Sequence, residues 1–369
     1  MRIGIDAKWY FNGPPSGINV VRNIVNNLIA LPYKSLILIV DSKDSNRIDE
    51  ILSKRHSTTD IEILYVKNYF NFITNLFILP FYLKNKNIDA VLFQNFIPLW
   101  GIRSTKKIAY IHDFLFVDFP QYFTFIEKLV YKFIRISALK AHHIITISNT
   151  EKERICKNCN LNDSKISFVY HGIDEMFFPR NKDEINAIKL KYKINQDYIL
   201  YVGRLNLRKN IKTLLESFSQ LQTDYKLVII GAEHTKSFNL LKEVARLNLQ
   251  EKVIKFGYVD DFKLSEVTAA ASIFVFPTFA EGFGLPPIEA MKSGVPTIVS
   301  NVTCLPEICG KATVYFNPYS VVDLTNKLMV VIKNNNLRED LRNIGIEHSK
   351  KYNWTKSAEY LYSIIEKNV

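Results

Sequence analysis

Short runs of branched and aromatic residues without polar alternation recur along the chain, separated by stretches in which apolar residues return every three or four positions. Runs at 3–5, 35–40, 61–64, 90–93, 107–111, 143–147 and 166–169 predict strands in the first half. Runs at 198–202, 226–230, 252–256, 272–276, 295–299 and 313–315 predict strands in the second. A strand with no polar face is covered on both sides, so these runs belong to parallel sheets flanked by helices. Strand and helix alternate throughout, which makes the fold class α/β. Residues 178–183 are polar, contain Pro179, and predict a linker. The expected organisation is a doubly wound, Rossmann-like domain over 1–180, a second over 181–350, and a C-terminal helix over 351–369 that crosses back to the first. The two domains are expected to face one another across a central ligand cleft.

Composition supports two cores. The 369 residues exceed a typical single domain, and an apolar content of 47% excludes a disordered chain. Cys156, Cys159, Cys304 and Cys309 are too few for a disulfide scaffold, and the C-x-x-C at 156–159 has neither a matching second pair nor nearby histidines. Ordinary thiols in a reducing compartment are expected. The first residues run directly into a strand-like stretch without the pattern of a signal peptide, so a cytoplasmic protein is expected.

The net charge of +12 calls for an acidic partner. Basic residues are scattered and no nucleic-acid motif accompanies them, which argues against DNA or RNA. Two aromatic segments change the picture. Residues 69–83 are bounded by Lys67, Lys84 and Lys86 and are too short and interrupted to span a bilayer. Residues 123–135 alternate bulky apolar groups with cations at helical spacing. Both fit aromatics buried at an anionic headgroup layer, and both fit amphipathic helices packed on the protein's own sheet. Their occurrence in one half of the chain favours peripheral contact with the inner face of the cytoplasmic membrane.

The candidate chemistry concentrates at 279–291, where Glu281 and Glu289 flank Gly282, Gly284, Pro286 and Pro287. The glycines permit unusual backbone angles or a close approach to a ligand, and the prolines suit a first helical turn. Gly294 stops that helix. Strand, glycine turn and helix bring N–H groups and a positive helix end to the carboxyl edge of a sheet, where such folds bind phosphorylated ligands. Two carboxylates at this separation can grip two sugars of one ligand through their hydroxyls. The same pattern also fits a surface loop with a glutamate placed for the helix dipole.

A second cluster, Gly203-Arg204-Leu205-Asn206-Leu207-Arg208-Lys209-Asn210, puts a glycine and three cations between a strand end and an amphipathic helix, with Asn210 as the expected N-cap. Cations there favour a diphosphate, although a solvated basic turn has the same appearance. His112, within Ile111-His112-Asp113 at a strand end, is the candidate site histidine, whereas His142 and His143 read as structural.

Five features in order resemble the retaining GT-B glycosyltransferases of family 4, the group that includes bacterial mannosyl- and rhamnosyltransferases. They are the E-x7-E pair Glu281 and Glu289; Gly203-Arg204 with Lys209-Asn210; the segment 300–307 with Gly310; Ile111-His112-Asp113 with the segment 169–174; and Tyr352-Asn353-Trp354-Thr355 before a last helix. The resemblance covers almost the whole length. It implies that the domain over 1–180 binds the acceptor and the domain over 181–350 the nucleotide sugar, with Glu281 contacting hydroxyls of the transferred sugar and Glu289 the nucleotide ribose. Arg204 and Lys209 would neutralise the diphosphate, assisted by backbone N–H groups at Phe283, Gly284 and Leu285, and His112 would face the donor sugar. Gly17 would let the backbone approach phosphate or acceptor, although Asn19 stands where a further glycine is common.

The implied reaction moves a hexose or deoxyhexose, first of all mannose from GDP-mannose, to a glycan or lipid-linked acceptor of surface polysaccharide with retention of configuration. No cofactor is expected beyond the nucleotide-sugar donor. No well-placed D-x-D occurs, the nearest stretch, Asp60-Ile61-Glu62, leads into a predicted strand, and metal-independent activity is expected. A sugar-nucleotide epimerase, a glycan phosphorylase and a non-catalytic nucleotide-sugar-binding protein are the rival readings.

Overall fold

The computed structural model describes residues 1–102, 104–232 and 239–369. They form two compact units, Met1–Gly172 with Asn353–Val369, and Ile173–Tyr352. The first unit ends ahead of residues 178–183, which lead into a helix, Lys182–Lys191, whose start is fixed by a reciprocal capping box between Asn181 and Glu184.

The first sheet contains β1 (Arg2–Asp6), β2 (Ser35–Asp41), β3 (Asp60–Val66), β4 (Ala90–Gln94), β5 (Lys106–Tyr110), β6 (His143–Thr146) and β7 (Ile166–Phe168), in the order β3-β2-β1-β4-β5-β6-β7. The second contains β8 (Tyr198–Val202), β9 (Lys226–Ile230), β10 (Val253–Phe256), β11 (Ile273–Phe276), β12 (Thr297–Ser300) and β13 (Val314–Phe316), in the order β10-β9-β8-β11-β12-β13. Every neighbouring pair is parallel. All residues of β4 and β11 are buried, which is why these strands show no polar alternation.

Strand order reverses between β1 and β4 in one sheet and between β8 and β11 in the other. Helices leave on opposite faces at such a point, so a crevice opens outside the carboxyl ends of the two strands. Asp6 and Gln94 close β1 and β4; Val202 and Phe276 close β8 and β11.

In the first unit the helix Pro15–Ile29 buries Val20, Val21, Ile24, Val25 and Leu28 at helical spacing. The terminal helix Trp354–Lys367 packs on it, with the Thr355 hydroxyl donating to Asn27 Oδ1 at 2.9 Å. The aromatic segments serve two purposes at once. Leu76, Leu79 and Leu83 are core residues, while Phe70, Phe77 and Phe81 point outward, Phe81 against Trp100 with ring centroids 4.8 Å apart. In the helix Phe125–Lys140, Ile134 and Ala138 are buried, while Phe125, Ile126 and Leu129 are exposed. No helix among the described residues is long and apolar enough to cross a membrane.

Candidate active site

Two loops leave the switch point of the second sheet. One runs from β8 through Arg204 to Lys209 into the helix Ile211–Ser219; the other runs from β11 through Glu281 into the helix Leu285–Lys292. They are stitched together by the Phe279 N–H, which donates to the Arg208 carbonyl at 2.8 Å. The Lys209 ammonium pairs with Glu281 Oε1, Arg208 reaches the same oxygen at 3.2 Å, and the Thr278 hydroxyl donates to it at 3.2 Å. Arg208 also donates to the Ala280 carbonyl.

Burial alone would raise the Glu281 carboxyl, but Arg208 and then Lys209 outweigh it and hold it below its ordinary value. Burial lowers Lys209, with Glu281 opposing and Arg208 reinforcing. The site therefore contains a charge-balanced carboxylate able to accept sugar hydroxyls.

A third loop clamps the Glu281 backbone. Its N–H donates to Thr303 Oγ1 at 3.0 Å, and the Cys304 thiol donates to the carbonyls of Glu281 and Phe283 at 3.2 Å. Thr303 adopts φ +52°, a region that β-branched residues rarely enter, so the surrounding contacts hold it there. Gly284, at φ +93°, precedes the helix, and a Cβ there would lie 2.8 Å from Leu305. Pro286 and Pro287 carry no N–H, so the donors of the first helical turn reduce to those of Leu285 and Ile288.

Glu289 occupies the same helix with the opposite electrostatics. Burial, then Asp261 and Asp174, push its carboxyl up to about 8, so it is largely protonated at neutral pH. Arg204 is exposed, and its side chain forms no ion pair among the described residues. Asn210 begins the helix as expected but does not cap it: in a left-handed conformation, it donates instead to the Pro277 and Pro318 carbonyls at 3.0 and 2.8 Å.

At the switch point of the first sheet, Asp6 accepts from the buried Lys8 ammonium, and from Asn75 Nδ2 at 2.8 Å. Lys8 also donates to Asn75 Oδ1 at 2.8 Å. Gln94 donates through Nε2 to the Asp6 carbonyl at 3.3 Å, which leaves its oxygen facing His112 Nε2 at 2.8 Å. His112 thus carries its proton on Nε2 and presents Nδ1 as an acceptor. Burial drives its pKa down to about 4 against the raising influence of Asp6, so the ring is neutral. Its centroid lies 5.4 Å from that of Trp9.

Gly17 lies in the first turn of the helix Pro15–Ile29, and a Cβ there would meet the Trp9 ring at 2.9 Å. Its lack of a side chain thus makes room for an indole. His143 bonds Ser167 at 2.9 Å and His142 accepts the Lys107 N–H at 3.0 Å, both structural as expected. Among the expected residues, Lys209 and Glu281 meet directly, with Arg204 earlier on the loop of Lys209 and Phe283 and Gly284 following Glu281 up to the helix start at Leu285, while His112 and Gly17 both border Trp9. Sequence reading placed Arg208 only among the three cations that favour a diphosphate, not against Glu281, and it assigned no individual role to Thr303, Cys304 or Gln94.

The model of the glycosyl transferases group 1 matches residues 182–348, and that of glycosyltransferase family 4 matches residues 18–176. The chain belongs to these glycosyltransferases. The transferase is 29% identical over 262 residues to O-antigen chain mannosyltransferase B of Escherichia coli, covering 68% of each chain. Sucrose-phosphate synthase from Thermosynechococcus elongatus superposes on 100% of the transferase and 98% of its own chain, with a TM-score of 0.78 at 18% identity. Anabaena HepE in complex with UDP and glucose does so over 100% of both chains, with a TM-score of 0.77 at 14% identity. At such identities the likeness carries the fold, and the transferase has the GT-B class of two parallel α/β units.

Proposed function

We propose that this transferase moves a hexose, mannose from GDP-mannose in the first instance, from a nucleotide sugar to a glycan or lipid-linked acceptor of a surface polysaccharide, with retention of configuration. The observation that carries the reading is the Glu281 carboxylate gripped by Arg208 and Lys209 at the switch point of the second sheet. The likeness to an O-antigen chain mannosyltransferase supports mannose and polysaccharide, while HepE, crystallised with UDP and glucose, keeps UDP-glucose as the second donor to try.

In this reading Arg204 and Lys209 stabilise the departing diphosphate, aided by the N–H groups around Gly284 and Leu285, and Arg208 joins them. Preorganised charge of this kind is usually the largest catalytic contribution. Glu281 accepts from hydroxyls of the transferred sugar, Glu289 engages the ribose, and the neutral His112 offers Nδ1 to a sugar hydroxyl. The anomeric bond breaks through an oxocarbenium-like transition state, and the acceptor hydroxyl attacks the same face while passing its proton to the leaving phosphate. The cations take the place of a metal. The exposed Phe125, Ile126 and Leu129, with Lys128 and Lys132 between and beyond them, serve peripheral contact with an anionic membrane.

A thermal-shift screen over GDP, UDP, dTDP and ADP identifies the base, because binding to the folded state raises Tm. Incubation with the matching sugar nucleotide then gives nucleoside diphosphate only when acceptor is added. Isomerised sugar without acceptor would turn the reading toward an epimerase. Activity is expected to survive EDTA; abolition with rescue by manganese would overturn metal independence.

A further inference from the structure

Asn95 stands one residue beyond the carboxyl end of β4 and has φ +61°, in the left-handed region. The Phe96 N–H donates to the Gln94 carbonyl at 2.7 Å, which makes Asn95 the centre of a three-residue γ-turn. With positive φ, it is the rarer and more strained hand of that turn. The Asn95 N–H donates to the Tyr110 carbonyl at 2.9 Å and so carries the β4–β5 ladder one step further. Strained residues of this kind cluster at functional sites and persist only where surrounding contacts hold them. Glycine would adopt the same φ without steric cost, so the backbone alone does not call for asparagine.

The side chain shows what asparagine adds. Asn95 Oδ1 accepts the His112 N–H at 3.1 Å. Gln94, the preceding residue, bonds the same histidine through its ring, with Oε1 facing Nε2 at 2.8 Å. Consecutive side chains of a regular strand point to opposite faces and could not both reach one residue. The turn at Asn95 breaks that alternation, and two adjacent positions hold the ring and the backbone of His112.

The flanks of His112 are anchored in the core. The Ile111 N–H donates to the Ile145 carbonyl at 2.8 Å, and the Ile111 carbonyl accepts the Thr146 hydroxyl at 2.9 Å. The Phe114 N–H donates at 2.8 Å to Glu151, a fully buried carboxylate paired with Arg154 on the helix Asn149–Cys159. Trp9 and Tyr110 pack on the imidazole, with centroids 5.4 and 5.1 Å away. Between these fixed points Gln94 settles which ring nitrogen carries the proton, and Asn95 settles where the ring stands.

We propose that Asn95 is a positioning residue: its side chain fixes the His112 backbone in the free protein so that Nδ1 stands ready for the sugar, and its strained turn serves that contact. The part of His112 in transfer rests on the reading above; the coupling of Asn95 to His112 does not.

Three substitutions separate the acceptor from the backbone. Asn95→Gly relieves the turn and removes the acceptor, Asn95→Ala removes the acceptor and keeps the strain, and Asn95→Asp keeps an acceptor and enters the left-handed region readily. Tm is expected to be no lower than native for Asn95→Gly and about 2 to 4 °C lower for Asn95→Ala. By contrast, kcat is expected to fall about tenfold in both, as for loss of one hydrogen bond, with the donor KM little changed. Asn95→Asp, assayed just above neutral pH so that the ring stays uncharged, is expected to recover most of kcat. Adding Asn95→Gly to His112→Ala is expected to cost nothing further. In NMR spectra of the full chain, the His112 amide proton is expected to move upfield in the glycine and alanine variants and to stay near its native position in Asn95→Asp.

The proposal is overturned if the His112 amide is unmoved in Asn95→Gly, if the losses of kcat follow the losses of Tm, or if Asn95→Asp is no more active than Asn95→Gly. It is equally overturned if Asn95→Gly keeps native kcat while His112→Ala does not. A shifted His112 amide with kcat insensitive even to His112→Ala supports the positioning and counts against the role given to His112 in transfer instead.

Discussion

Glu281 and Glu289 stand eight positions apart, are equally buried at 8% exposure, and differ in charge at neutral pH. Glu281 is ionised between Arg208 and Lys209; Glu289, with Asp261 and Asp174 as its charged neighbours, is pushed up to about 8. One therefore offers only acceptors, whereas the other also donates.

Replacing Glu281 by Gln keeps its shape and removes the charge that balances Arg208 and Lys209. We expect kcat to fall roughly 10²- to 10³-fold, as for loss of a preorganised electrostatic group, while the nucleoside diphosphate Kd changes little. Kinetics and a binding titration separate the two, and equal losses in both would return Glu281 to a structural counterion.

Glu289 gives a pH dependence with a definite sign. Its folded-state pKa, about 8, exceeds the ordinary value of 4.5, so the folded chain holds the extra proton between those limits. Stability from this group is complete below pH 4.5 and is lost as the pH rises through about 8. Glu289→Gln, neutral throughout, is expected to gain on the native chain by a few kcal/mol toward pH 9 and to lose that advantage at low pH. Tm measured against pH for both proteins checks it. Glu289→Ala is expected to weaken nucleotide binding and transfer together.

The bond from His112 to Gln94 is open to a direct spectroscopic check. Nitrogen-15 spectra of the imidazole are expected to show the proton on Nε2 and a bare Nδ1. Gln94→Glu places a carboxylate against Nε2 and should raise the His112 pKa from about 4 toward neutrality, adding an acid-side limb to kcat/KM. Gln94→Leu is expected to lose the tautomer preference and about tenfold in kcat. An unchanged spectrum in both variants would remove Gln94 as a positioning residue.

The outward face of the helix Phe125–Lys140 predicts a lipid dependence. Combined Phe125→Ser, Ile126→Ser and Leu129→Ser, at residues 82%, 73% and 52% exposed, should cost little stability. Co-sedimentation with phosphatidylglycerol vesicles is expected to drop about tenfold or more, and salt is expected to weaken native binding. Retention of the triple variant on vesicles would assign the face to something else.

The strands were legible because a two-sided parallel sheet demands apolar runs, and their boundaries shift from the expected ones by only one or two residues. The Glu281 loop and the cationic run before Asn210 were legible because glycine and proline are tied to backbone geometry. Other features were not. Thr303 in the left-handed region has no sequence signal, since nothing in its residue type favours that conformation. Asn210 reads as an N-cap, yet its amide finds two carbonyls from distant loops, and long-range partners outcompete the local one. Residues 69–83 read as one amphipathic surface, but the fold divides them between core and solvent.

The sequence by itself determined the two parallel α/β units, the order of their elements and the residue types available at each carboxyl edge, because periodicity and turn chemistry act over a few positions. Tertiary structure alone decided which cation meets Glu281, why Glu289 keeps its proton, and how Gln94 sets the His112 ring. Those outcomes depend on burial and on partners tens of residues away, and neither burial nor distance is written in local pattern.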